Sequence, residues 1–312
     1  MCIHRMIIRS FLTVSLLTVA SLRAQAVEYA LTTYSLGQSA FSAGVTPPPG
    51  VYVSTVIGTF DGVLAGTASF GGVTVNAGAK LDVFSPALNF LYVPDRKVFG
   101  GNLGLSITVP AGWIDIRAGA EVQSQGFSRE VNGWGMEDVV PRVQLGWQLT
   151  DFSHTIYLQL ITPTGRWQPG FSPILGFNRT SIDTGWAFTW TDKRTKLQVS
   201  GTAGFTFNTE NPQTNYQSGN EFHWEWAVGF QCTPGLVIGL VGYDYRQLNG
   251  DSGSGDPVGP FRGSDDAIGA GLSYTTVIEK RPVTYNLRYY HDYNFDNHFH
   301  GDTAIGSVTV RF

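Results

Sequence analysis

Apolar and polar residues alternate with a period of two through much of the second half of this 312-residue chain. Over 195–208, Leu197, Val199, Ala203, Phe205 and Phe207 oppose Lys196, Gln198, Ser200, Thr202 and Thr206. Over 220–231, Phe222, Trp224, Trp226, Val228 and Phe230 oppose Glu221, His223, Glu225 and Gln231. Successive strand side chains point to opposite faces, so each stretch is a strand with one apolar and one polar side. Residues 303–312 repeat the pattern, with Val308, Val310 and Phe312 in one row and Ser307, Thr309 and Arg311 in the other. A strand that ends the chain on an aromatic residue needs partners at both edges, and a sheet closed on itself supplies them. No helical period persists.

The pattern predicts strands over about 51–60, 73–93, 98–122, 136–149, 153–162, 180–190, 195–208, 220–231, 235–247, 264–276, 282–293 and 302–312. Short connections near 94–97, 150–152, 191–194, 232–235 and 277–281 alternate with long ones near 61–72, 124–135, 163–180, 209–219, 248–263 and 294–301. Membrane barrels have short periplasmic turns and long outer loops. The expected fold is therefore all-β: a closed antiparallel transmembrane β-barrel over 51–312, of about 12 strands, or 14 if the two longest are each split. Both termini of an even-stranded barrel lie on the periplasmic side. Residues 27–50 carry little alternation and include Pro47, Pro48 and Pro49, which cannot join a ladder. They read as a lead-in or lumen plug, with Leu36 and Phe41 as its apolar residues.

Composition adds the compartment. Residues 1–26 read as a secretory signal: Arg5 and Arg9, then an apolar core over 11–22, then Ala24-Gln-Ala26 as the cleavage site. Its removal takes Cys2 and leaves Cys232 alone, which excludes a disulfide framework. With Arg5, Arg9 and Arg23 gone, 17 basic residues face 24 acidic ones, a balance that argues against a nucleic-acid partner. The mean hydropathy of -0.02 suits walls that face lipid on one side and a polar lumen on the other. The expected location is the bacterial outer membrane.

Several stretches resemble an outer-membrane family known as meta-pathway of phenol degradation. They are Phe41-Ser-Ala-Gly-Val-Thr-Pro-Pro-Pro-Gly-Val-Tyr-Val53, Leu88-Asn-Phe-Leu-Tyr-Val-Pro-Asp-Arg-Lys-Val-Phe-Gly-Gly-Asn-Leu-Gly-Leu-Ser-Ile-Thr-Val-Pro110, Gln144-Leu-Gly-Trp147 and Pro163-Thr-Gly165. Where the family has a Gly-Asp step before the Leu-Gly-Trp strand, this chain has Gly135-Met-Glu-Asp138. The resemblance implies a barrel that takes up small hydrophobic or aromatic compounds, with no catalytic residues to transfer.

The candidate lumen residues are Lys80, Asp82, Arg117, Arg142, Asp183, Lys196, Glu221, His223, Glu225, Asp244, Arg246, Arg288 and Asp292. Their mixed signs favour cross-lumen pairs over a selective ring. Tyr243, Tyr245, Tyr285, Tyr289, Tyr293, Trp186 and Trp190 are expected outside, as interfacial anchors. Glu221, His223 and Glu225 on one strand face could serve acid–base work, and Asp296, His298, His300 and Asp302 could hold an ion. Both sets read more simply as polar lining and loop residues, so no metal, cofactor or catalytic residue is assigned. Pro86, Pro110 and Pro141, in three consecutive strands, mark expected breaks in pairing and a candidate lateral opening.

The leading function is passive uptake of small hydrophobic or aromatic solutes, with the lipid bilayer as surroundings. The barrel-insertion machinery is expected to recognise Val308, Val310 and Phe312. The alternatives are a barrel hydrolase or protease with His223 as base, or a purely structural surface barrel.

Overall fold

The computed structural model describes residues 30–70, 73–122, 125–169, 174–255 and 262–312; the expected signal over 1–26 lies outside them. The strands are β1 (Gly50–Phe70), β2 (Val73–Val93), β3 (Lys97–Val98), β4 (Gly101–Val122), β5 (Gln125–Met136), β6 (Val140–Gln148) and β7 (Phe152–Ile161). Then come β8 (Ser181–Asp192), β9 (Leu197–Asn208), β10 (Glu221–Thr233), β11 (Leu236–Gln247), β12 (Ser264–Ile278), β13 (Arg281–Asp296) and β14 (His300–Arg311). Consecutive strands pair antiparallel from β6 round to β14; β14 pairs with β1, β1 with β2, β2 with β4, and β4 with β6. The circle is a closed 12-strand barrel, with the short β3 and the strand β5 attached to β4. Closure leaves no strand edge within lipid, where an unpaired backbone group would cost several kcal/mol.

The outer face is apolar along the middle of the wall. Leu88, Phe90, Ile107, Leu158, Trp186, Phe205, Phe207, Phe230, Leu240 and Leu287 are all exposed there. The inner rows carry the buried polar residues Gln159, Asp183, Thr202, Glu221, His223 and Glu225. In β10 the two rows separate as the alternation predicts, with Glu221, His223 and Glu225 inside and Trp224, Val228 and Phe230 outside.

One side of the wall is taller than expected. β1, β2 and β4 run for 21, 21 and 22 residues, and a tilted strand needs only about 9–11 to cross the hydrocarbon. Most of the loop expected over 61–72 is strand, the loop expected over 124–135 is largely β5, and the last connection is only 297–299. These stretches are rich in Gly, Ala and short polar residues, so their alternation is faint. Register with a neighbour, unbroken from Gly50↔Val93 to Phe70↔Val73, keeps them extended.

Candidate functional site

The lumen is occupied by the chain's own residues 30–49, which run without regular strand structure between the outer mouth and the start of β1. Near the mouth, Ala30 packs with Leu64, Leu81, Ile114 and Phe299. At mid-height Ala40, Leu36 and Phe41 pack against Ala227, Val241, Tyr243, Ala267, Tyr290 and Ile305. At the base the three prolines offer only carbonyls, and each carbonyl is used. Asn102 donates to Pro47 O (3.1 Å), Tyr52 to Pro48 O (2.6 Å) and Arg311 to Pro49 O (2.7 Å). Thr46, fully buried, shares hydrogen bonds with Thr155 and Gln144.

A segment with no ladder must find side-chain partners for its backbone. The inner row of β10 provides them. Glu221 accepts from Thr32 Oγ1 (2.7 Å), from Thr33 N (3.3 Å) and Oγ1 (3.1 Å), and from Asn208 Nδ2 (2.9 Å). Glu225 accepts from Ser39 N (2.8 Å) and Tyr34 Oη (3.3 Å). Between them His223 stacks its ring on Tyr34 at 3.5 Å and bonds through Nε2 to Asp183 (3.0 Å). Asp183 also accepts from Gln159 and Thr206. Among the described residues His223 Nδ1 has no hydrogen-bond partner. Of the expected plug residues, Leu36 and Phe41 pack against the apolar cluster at mid-height, and Pro47, Pro48 and Pro49 are bonded at the base to Asn102, Tyr52 and Arg311.

Of the expected lumen residues, Arg142, Asp183, Glu221, His223, Glu225, Arg288 and Asp292 lie on the inner face. Six do not. Leu81 packs inside against Ala30, so Lys80 and Asp82 on either side point outward, and Arg117, opposite Lys80, does too. There Lys80 pairs with Asp61 (2.9 Å) and Asp82 (3.2 Å), while Arg117 pairs with Asp115. This part of β2 and β4 belongs to the tall wall, where an outward charge meets water instead of lipid. Asp244 and Arg246 also face outward, where Arg246 pairs with Asp266. Lys196 sits in the turn before β9 with a φ of 61°, outside the lumen wall.

The complement of that correction is Tyr243 and Tyr245, expected outside and found buried inside at 3 % and 0 % exposure. Tyr243 donates to Asp292 (2.5 Å). A plugged lumen accepts aromatic rings that an open aqueous one would not, and this reverses the parity that hydrophobicity predicts. Tyr285, Tyr289, Tyr293, Trp186 and Trp190 are exposed as expected. The histidines near the last connection diverge. His298 is buried beside Asp265 (3.5 Å), His300 stacks on Phe295, and Asp302 bonds to Tyr289 and His291 on the outer face. Among the described residues no three potential ligands gather to hold a metal.

Pro86 and Pro110 border one interruption of the wall, and Pro141 is paired with Ile107. β2 and β4 pair at Phe84↔Trp113 and again at Ala87↔Pro110, but not at the two positions between. Across β4, pairing passes from β5 to β6 with residues 137–139 in neither strand, and Pro141 follows immediately. Burial pushes the Glu137 carboxyl up to about 7, against a hydrogen bond from Ser85. Asp138 pins the next long loop by accepting from Gly165 N (2.7 Å) and Phe177 N (2.9 Å). Sequence reasoning missed Glu137 and Asp138, whose partners, Ser85 for the first and Gly165 and Phe177 for the second, are distant in sequence.

A cavity of about 290 Å³ remains beside the plug, bordered by Phe41, Ala43, Val45, Leu91, Arg142 and Arg288 among others. The barrel has a solved counterpart in its fold. The COG4313 outer membrane channel from Pseudomonas putida F1 superposes with a TM-score of 0.63 at 13% identity, over 87% of this chain and 98% of that one. A FadL homologue from Pseudomonas aeruginosa gives a TM-score of 0.40 at 6% identity, over 85% and 90% of the two chains. No curated protein matches the chain by sequence. The first of these likenesses is one of fold, that of a bacterial outer-membrane barrel. The profile of the family described as MetA-pathway of phenol degradation matches residues 65–306, and the chain belongs to that family.

Proposed function

We propose that this protein is a channel of the bacterial outer membrane for the passive uptake of small hydrophobic or aromatic compounds. The observation that carries the reading is a closed barrel whose lumen is occupied by residues 30–49, with a cavity of apolar and polar walls beside them. Such a lumen has no broad water column for sugars or ions, yet it has room for a small molecule. Family membership supports the reading, as does the fold shared with a Pseudomonas putida protein described as an outer membrane channel. On this reading the barrel catalyses no reaction. The interruption at Pro86 and Pro110 gives an apolar molecule a sideways path into the membrane, since two ladder positions are already open there. The outward row Val308, Val310 and Phe312 is the surface offered to the barrel-insertion machinery.

Uptake tests the reading directly. Cells carrying the protein in an outer membrane with intact lipopolysaccharide should accumulate radiolabelled toluene faster than cells without it. Equal initial rates in the two strains would sink the channel reading.

A further inference from the structure

The lumen carboxylates are already engaged. Asp183 is held by His223, Gln159 and Thr206, Glu221 by the plug threonines and Asn208, and Asp292 by Tyr243 and the Gly301 amide. Glu225 accepts from Tyr34 and Ser39 through Oε2, keeps Oε1 without a hydrogen-bond partner among the described residues, and does not border the cavity. The two arginines that border the cavity are in a different condition. Arg142 lays its guanidinium over the Tyr157 ring at 4.0 Å, and its Nε is buried with no hydrogen-bond partner. Arg288 is 8 % exposed, donates through Nη1 to Gly37 O (2.9 Å), and also leaves its Nε buried and unpartnered. Among the described residues neither is in ion-pair contact with a carboxylate, whereas the outward-facing Arg117 and Arg246 both are.

A guanidinium partly withdrawn from water with no carboxylate in contact with it gains when an anion arrives. The planar guanidinium fork matches the paired oxygens of a carboxylate bidentately. Around the two arginines the cavity presents Phe41, Ala43, Val45 and Leu91, and Gln144 adds an amide. We infer that this cavity binds the carboxylate of a small amphipathic acid, an aromatic or aliphatic body with one acidic group, through Arg142 and Arg288. The inference deepens the channel reading and rests on it: it names the class of molecule for which the cavity is built.

Calorimetric titration of the full-length protein in detergent, with benzoate and with neutral benzyl alcohol as probes, tests it. Benzoate should bind the wild type, and Arg142→Gln and Arg288→Gln should each weaken that binding about tenfold. Any heat from benzyl alcohol should stay the same. Arg288→Gln also frees Gly37, so Arg142→Gln, which touches no plug backbone, is the independent variant, and Arg142→Lys should restore part of the affinity. Heat-modifiable migration on gels confirms that each variant is a folded barrel. Absence of benzoate binding by the wild type, or equal affinity in the wild type and both glutamine variants, overturns the inference. Either result leaves the channel reading to stand or fall on toluene uptake.

Discussion

Glu221 is fully buried and accepts four hydrogen bonds, three of them from the plug residues Thr32 and Thr33. Glu221→Ala strands those donors and should cost about 1.5–3 kcal/mol, the scale of one hydrogen bond to a charged group. The loss should appear as a lower temperature for the folded-to-unfolded gel shift, and an unchanged temperature would count against the tether. The inner position of Glu221, His223 and Glu225 was legible because each alternates with a tryptophan or phenylalanine. Their role was not, since the plug that they hold lies some 190 residues away in sequence. Tyr243 and Tyr245 misled for a related reason. A hydroxyl paired with Asp292 is a tertiary fact, and hydrophobicity alone assigns the ring to lipid.

Among the elements, the junction of β5 and β6 has its own chemistry. Glu137 folds over the unpaired stretch of β2 and β4, and burial raises its pKa from 4.5 to about 7. The native state therefore holds this proton more tightly than the unfolded state. Stability from the group is fully present below about pH 4.5 and is lost as pH climbs towards 7. The Glu137 amide, which donates to Pro110 O (3.1 Å), should exchange faster at pH 8 than at pH 5 once intrinsic rates are corrected. Glu137→Gln should remove the difference, and a wild-type amide with no pH dependence would refute the assignment. The gap in pairing lies between Pro86 and Pro110, while Pro141 keeps a partner in Ile107. The height of β1, β2 and β4 escaped notice because Gly- and Ala-rich strands are held by neighbours, not by pattern.

At the scale of the molecule, the even count and the closed sheet were readable from alternation and from alternating loop lengths, whereas the run Pro47-Pro-Pro49 left lead-in and plug open. Which residues meet across the lumen was not, because contacts between distant strands depend on tilt and register. Removal of residues 36–49 should turn the barrel into a simple aqueous pore. Proteoliposomes carrying that variant should swell faster in a small polar sugar than those with the intact chain. Unchanged swelling would mean that these residues are not what obstructs the lumen.

The position of residues 30–49 also constrains how the protein is made. They lie within a ring whose seam, β1 against β14, joins the first and last wall strands. A segment so enclosed, tethered at Pro49 O to Arg311 of the last strand, is most simply captured while the seam is still open, with the wall closing around it. Afterwards, with the ladder intact, it can leave only lengthwise, as a rod slides from a sleeve. Release of the obstruction is then an axial displacement, resisted first by the hydrogen bonds at the base. A load applied along the barrel axis would act on it directly, and one applied across the axis would first have to tear the ladder.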